Sequence, residues 1–368
     1  MFSLHIDTAR GWRGGQAQVL MTVLGLRERG HRALLVAHPE GVLLQRASEG
    51  HDLIPLAPAS ELDFASSWKL SRIIRQLQPD VVHAHDSHAV AMASAALSMI
   101  TSGPVPPLLM SRRVDFHIRK NALSRWKYNR VDCFVCASNA IKRILISDGI
   151  DERKTVVVHD GVDVAKLDAV PRASIHEAFW LPHHAPVVAN VAALVPHKGQ
   201  RHLVEAAAIV VRQVPDARFV IFGEGELREP LERQIKAGNL EKHVLLAGFR
   251  ADVVALCKTI DVFVMSSITE GLGSALLDAM ACRKAVVGTT AGGIPEAVVH
   301  GTTGLLVPPR NDGALADAIV SMLNDADTRA RFGDAGRQRV EEQFSEEKLI
   351  EGVLAAYQQV ASLSAPRG

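Results

Sequence analysis

Glu270 and Asp278 are two carboxylates on either side of a glycine-punctuated loop, Gly271-Leu272-Gly273-Ser274. The loop follows the apolar run 262–265, a strand buried on both faces, and opens an apolar helical stretch, 275–281. A second buried strand follows at 285–287. The first amides of a helix lack internal partners and carry the positive end of its dipole. Glycines beside them let a phosphate approach the backbone. A carboxylate at such a place repels phosphate and instead accepts hydrogen bonds from sugar hydroxyls. The local expectation is a sugar-phosphate or nucleotide-sugar site, weighed against an ordinary strand-to-helix loop with two surface acids.

Lys198 stands in Val195-Pro196-His197-Lys198-Gly199, a loop that starts a helix, so its cation and the helix amides together suit a diphosphate. His83 and His85 end another buried strand, where parallel sheets place ligands, and alternation puts both on one face. With no acid or cysteine partner evident they are not read as metal ligands; His83 is read as structural and His88 is unassigned. Gly14-Gly15-Gln16 follows the first strand and is open between a tight turn that needs glycine and backbone approach to a phosphate or acceptor. Neither there nor at Gly223-Glu224-Gly225 is a dinucleotide fingerprint complete, because Arg228 stands at the third glycine place of the latter. A nicotinamide-dependent enzyme is not expected.

These residues need a frame that presents strand ends. Strand-like runs alternate with helical patterns from Phe2 to 158, and again from 187 to 344, the reading of two consecutive α/β halves with parallel sheets covered on both faces. The predicted domains are 1–170 and 171–345, with a last helical segment in 346–368.

The stretch from Glu270 to Ala281 resembles the paired-carboxylate signature of the retaining glycosyltransferases of family 4, the sucrose-synthase-like group with the GT-B fold. That resemblance covers nearly the whole chain. It implies two Rossmann-like domains facing across a cleft, an acceptor domain first and a nucleotide-sugar donor domain second, with the last helix crossing back to the first. It assigns Glu270 to the transferred sugar and Asp278 to the ribose of the nucleotide, although Asp278 is one methylene shorter than the family's glutamate. Lys198 matches the family's pyrophosphate lysine, while Ala193 stands where the family has an arginine. His85 resembles the histidine near the donor sugar, Gly15 the glycine beside the diphosphate, and Gly248-Phe249 the loop against the base, with Phe249 also open to a place in the core. Gly292-Gly293 with Glu296 resembles a family turn and is read as architecture.

Implied is transfer of a sugar from a nucleotide diphosphate sugar to an acceptor hydroxyl on a glycan, glycolipid or small molecule, with retained configuration, in envelope glycolipid or polysaccharide synthesis. No metal and no cofactor besides that co-substrate are expected. A GT-B-shaped sugar-nucleotide epimerase and a non-catalytic sugar-nucleotide binding protein are the alternatives; Ala193 and Asp278 keep the latter open.

Composition agrees with a folded enzyme: 48% of residues are hydrophobic, and 41 basic residues balance 40 acidic ones, which argues against nucleic acid as partner. No apolar run reaches membrane-spanning length and no leader pattern opens the chain, so a cytoplasmic protein is expected. Of the four cysteines, Cys133 and Cys136 share a core strand at C-x2-C spacing, and with no second pair nearby to complete a zinc site they are read as buried structural thiols. Residues 112–130 carry seven basic side chains against one acid, interleaved with Phe116, Ile118, Leu123 and Trp126. That stretch is open between a solvated helical face and a surface for anionic lipid, at the inner face of the membrane, or for an anionic acceptor.

Overall fold

A computed structural model describes residues 1–47, 52–60 and 63–364. The chain divides into two compact units, Met1–Gly161 with the segment from Glu346 onward, and Val162–Ser345. The sequence placed the first division at 170/171. Residues 162–170 belong instead to the second unit because their polar groups are satisfied there. Val162 N–H bonds Phe344 O at 2.8 Å, Lys258 Nζ bonds Leu167 O at 2.6 Å, and Arg337 holds Asp168 through two bonds of 2.8 and 2.7 Å.

The first unit carries a seven-stranded sheet: β1 (Phe2–Asp7), β2 (Arg32–Ala37), β3 (Leu53–Pro55), β4 (Val81–Ala84), β5 (Leu108–Arg112), β6 (Cys133–Cys136) and β7 (Thr155–Val157), in the order β3-β2-β1-β4-β5-β6-β7. The second carries β8 (Val187–Val191), β9 (Arg218–Phe222), β10 (Val244–Gly248), β11 (Val262–Met265), β12 (Ala285–Thr289) and β13 (Gly304–Val307), in the order β10-β9-β8-β11-β12-β13. Every pairing between these strands is parallel. Central strands buried on both faces need apolar side chains on both, which is why runs such as Val262–Met265 carry no alternation and every residue in them is buried. Burying one such side chain contributes about 1.5–3 kcal/mol.

In each sheet the strand order reverses once, between β1 and β4 in the first unit and between β8 and β11 in the second. Loops diverge there, leaving a crevice beyond the carboxyl ends of the strands. Both groups of candidate residues, around His85 and around Lys198 and Glu270, follow these strands.

All the strands expected from sequence are present. The helices missed are short: Val42–Ala47, Val164–Ala169, Ile175–Ala178, Val253–Cys257 and Ile294–Ala297 span too few turns for an apolar period to show. The last helix, Glu346–Ser364, buries Leu349, Ile350, Val353 and Tyr357 against Val23 and Leu26 of the helix Gly14–Glu28 and against Val135 of β6. Cys133 and Cys136 sit three apart on a strand and so enter opposite cores. All four cysteines are free, and burial pushes the thiols of Cys133, Cys136 and Cys257 up to about 12.

Candidate active site

In the second unit the loop after β8 forms a short 3-10 turn, Pro196–Lys198, that leads into the helix Gln200–Gln213. Hydrogen bonds tie this turn to the loop after β11. Ile268 N–H donates to His197 O at 2.7 Å, Ser266 Oγ to Lys198 O at 3.1 Å, and Lys198 Nζ lies 2.6 and 2.9 Å from the two Glu270 carboxylate oxygens. Ser267 Oγ also donates to Glu270 at 2.9 Å. The two side chains that the sequence reading assigned to different partners are thus paired with each other. Glu270 is buried, so its charge needs Lys198 and Ser267 as partners.

Glycine fixes two parts of this loop. Gly273 precedes the helix Ser274–Ala281 at φ +99°, a left-handed conformation that L side chains rarely adopt, and having no side chain it gives the first amides of that helix no cap; among the described residues no other side chain caps them. Gly292 lies against Glu270: a Cβ there would sit 1.8 Å from Glu270 O, and the next amide, Gly293 N–H, bonds that oxygen at 3.0 Å. The Gly292-Gly293 turn is therefore architecture with a specific load, the backbone of Glu270. Gly271 and Leu272 complete the loop and are buried with it.

Asp278 is half-buried on the helix Ser274–Ala281. It lines a cavity with Val191, Val253, Val254, Cys257, Ala275, Ala279 and Cys282. Among the described residues no hydrogen bond reaches its carboxyl, and desolvation by this apolar lining pushes it up to about 7. Gly248 takes φ +72° at the end of β10. Phe249 is 66% exposed, which removes the core alternative and leaves its ring free above the strand ends. At the family's arginine place, Ala193 offers only its backbone, whose carbonyl accepts from Gln200 Nε2 at 2.9 Å.

In the first unit, Gly15 lies in the first turn of the helix Gly14–Glu28. It has no positive φ and a Cβ would meet nothing within 4 Å. The tight-turn reading therefore fails, and the open space beside the helix start is what distinguishes the position. His83 is fully buried between Tyr357 Oη at 2.8 Å and Ser111 Oγ at 2.9 Å, a structural role. His85 is half-buried, with Nε2 3.0 Å from His5 Nδ1 and Nδ1 3.4 Å from Arg113 Nη1. Asp86 caps the next helix through His88 and Ala89 N–H and binds Thr8 N–H at 2.6 Å. Burial, then the charge of Asp86, pushes Asp7 up to about 6.

Sequence reasoning missed His5, Asp7 and Asp160, and read Arg113 only as part of the basic stretch 112–130. A signal existed for the first two: in β1, Ser3, His5 and Asp7 place a polar side chain at every second residue of an otherwise apolar strand, a polar stripe on one face. Nothing local announces Arg113 and Asp160, which meet at 2.8 Å from distant segments.

The basic stretch is not one helical face. Only Ala122–Asn129 is helical. Arg112 turns inward to Phe116 O, Arg113 to Asp160, Lys127 to Ser87 Oγ at 2.7 Å, and Arg130 to Asp132. What remains outside is Arg119, Lys120 and Arg125 with the exposed Val114, Phe116 and Trp126. Among the described residues no helix is long and apolar enough to cross a membrane.

Residues 12–166 match the family model described as Glycosyltransferase Family 4, and residues 172–339 that described as Glycosyl transferases group 1. An uncharacterized glycosyltransferase of Methanocaldococcus jannaschii, MJ1178, is 26% identical over 304 residues, 80% of each chain. A GDP-mannose-dependent alpha-(1-6)-phosphatidylinositol monomannoside mannosyltransferase of Mycobacterium tuberculosis is 35% identical over 195 residues, 50% of each. Among solved structures, Anabaena Alr3699/HepE in complex with UDP superposes with a TM-score of 0.83 at 21% identity, over 97% of this chain and all of that one.

Proposed function

The chain belongs to the group 1, family 4 glycosyltransferases of the GT-B fold, and we propose that it moves a sugar from a nucleotide diphosphate sugar to an acceptor hydroxyl with retained configuration. The observation that carries this reading is the Lys198–Glu270 pair, 2.6 Å apart beside the uncapped start of the helix Ser274–Ala281.

That pair supplies a switch. An arriving diphosphate competes for Lys198 and for the helix amides, which stabilise the negative charge that grows on it as the sugar leaves. Glu270, released from Lys198, exchanges that bond for hydroxyls of the transferred sugar, held also by Ser267. The unpartnered Asp278 accepts from the ribose hydroxyls. Phe249 offers a ring to the base at the backbone of Gly248, and Gly15 leaves room for phosphate or acceptor. In the first unit, His85 offers its ring to a sugar hydroxyl. The bond from the anomeric carbon to the diphosphate oxygen breaks and the bond to the acceptor oxygen forms on the same face. The acceptor proton ends on the departing diphosphate. No metal is invoked, because Lys198 and the backbone supply the positive potential.

The mannosyltransferase relative is named for a phosphatidylinositol-linked acceptor. Together with the three outward cations and exposed aromatics of residues 114–126, this supports an envelope glycolipid or polysaccharide precursor as acceptor, met at the inner face of the membrane. The test is a panel of UDP-, GDP- and ADP-sugars without acceptor, with released nucleoside diphosphate measured for wild type and Glu270→Ala. Release from one donor, lost in the variant, supports the reading. Donor epimerised without release would support the epimerase instead, and no binding across the panel would overturn both.

A further inference from the structure

Three imidazoles, His5, His83 and His85, meet at the switch point of the first unit, with nitrogens that all lie within 4.8 Å of one another. Such a group invites a metal. Its hydrogen bonds lead elsewhere, because their directions are forced. Arg113 is a guanidinium and can only donate. Its Nε is tied to Asp160 Oδ1 at 2.8 Å, and its Nη1 stands 3.4 Å from His85 Nδ1. His85 Nδ1 is therefore an acceptor, and the ring hydrogen is on Nε2. That hydrogen goes to His5 Nδ1, 3.0 Å away. His5 then carries its own hydrogen on Nε2 and donates to Ser3 Oγ at 3.0 Å. Tyr357 Oη also stands 3.5 Å from His5 Nε2, on the same side as Ser3. Tyr357 donates to His83 Nδ1 at 2.8 Å, and His83 Nε2–H ends the run on Ser111 Oγ at 2.9 Å.

A neutral imidazole has one donor and one acceptor, so the direction set at Arg113 passes through His85 and His5 to the hydroxyls of Ser3 and Tyr357, which can accept it. Burial keeps the rings neutral, pushing His5 down to about 3 and His83 and His85 well below the usual histidine range. Each ring's lone pair is already accepting, so a metal would have to break this run to bind.

We propose that Arg113 and His5 are positioning residues that lock His85 in the Nε2–H tautomer, with Ser3 and Tyr357 anchoring the far end of the run. The donor sugar then meets His85 at Nδ1, in place of the long Arg113 contact, as a hydrogen-bond acceptor only. A sugar whose group at that position has no hydrogen to give is a poor donor. The proposal rests on the transferase reading for the sugar contact, but the tautomer itself does not depend on it.

The experiment uses the full chain with 15N-labelled histidine, and His85→Gln to assign the resonance. Expected in wild type is a pyridine-type Nδ1 and a pyrrole-type Nε2 for His85. His5→Phe removes the acceptor and mixes the tautomers; His5→Asn, whose Oδ1 can stand where Nδ1 stood, restores the wild-type pattern. Arg113→Met, which removes the director from the other side, also mixes them. With the best donor of the panel, kcat falls about 10- to 100-fold in His5→Phe, the scale of a misplaced contact, while KM moves less than about twofold. His5→Asn recovers most of the loss. Variants that melt earlier yet keep the wild-type tautomer would show a purely structural role and overturn the proposal. So would a wild-type His85 protonated on Nδ1, or one equivalent of zinc retained through purification and released by a chelator. If no donor turns over, the transferase reading fails, and the tautomer measurement still decides the lock.

Discussion

Replacing Asp278 by asparagine should stabilise the ligand-free protein and weaken donor binding. The carboxyl lies in an apolar cavity with no donor among the described residues, and burial raises it from the ordinary 3.8 to about 7 in the folded chain. A raised carboxyl value works against folding: the cost is absent below about pH 4, grows through the window between the two values, and is complete above about pH 7. Each tenfold gain in proton affinity corresponds to about 1.4 kcal/mol, so the full cost is about 4 kcal/mol. Asparagine keeps the shape without the charge and removes that cost. The assay is thermal melting of wild type and Asp278→Asn from pH 4 to 8.5. The gap between them should widen up to pH 7 and then stay flat, reaching about 8–16 °C at about 2–4 °C per kcal/mol. Donor hydroxyls favour the ionised form, so wild-type affinity for the nucleotide should rise with pH through 7, with proton release measurable by calorimetry. The variant should lose that pH dependence and bind about 10- to 100-fold more weakly, the value of hydrogen bonds to a charged group. A gap that does not change with pH, or a variant that melts below wild type at pH 8, would refute the reasoning.

Lys198→Ala should leave Glu270 with Ser267 alone, lowering donor turnover by at least about 100-fold through the lost charge on the leaving group and weakening nucleoside diphosphate binding in titration. Gly292→Ala forces a Cβ onto Glu270 O; donor turnover should drop more than about tenfold while nucleotide binding through Asp278 persists, so retention of full turnover would count against Glu270. Phe116→Ser with Trp126→Ser should reduce sedimentation with anionic vesicles by a large fraction, and Arg119→Glu with Lys120→Glu should abolish it, at about 1 kcal/mol per cation. Vesicle binding unaffected by all four changes would remove the membrane surface from 114–126.

Much of the fold was legible because parallel strands buried on both faces are mostly apolar, and runs such as 219–222 and 262–265, bounded by turn residues, read as such strands. Short helices escaped because one or two turns carry no period. At the candidate site, residue type beside glycines singled out Glu270 and Lys198 in loops after strands, and Asp278 on the helix that follows. Their partners were not, since a hydrogen bond joins atoms near in space, whatever their separation along the chain. Lys198 and Glu270 are brought together only when β8 and β11 pair.

The sequence alone thus determined which segments become strands, where their carboxyl ends lie and which loops are rich in glycine, all consequences of local pattern. Only the tertiary structure decided that Lys198 neutralises Glu270, that Asp278 faces an apolar cavity without a donor, and that Arg113 sets the tautomer of His85. Charge pairing, desolvation and hydrogen-bond direction depend on distances between residues far apart in the chain, and those distances exist only once the sheets are assembled.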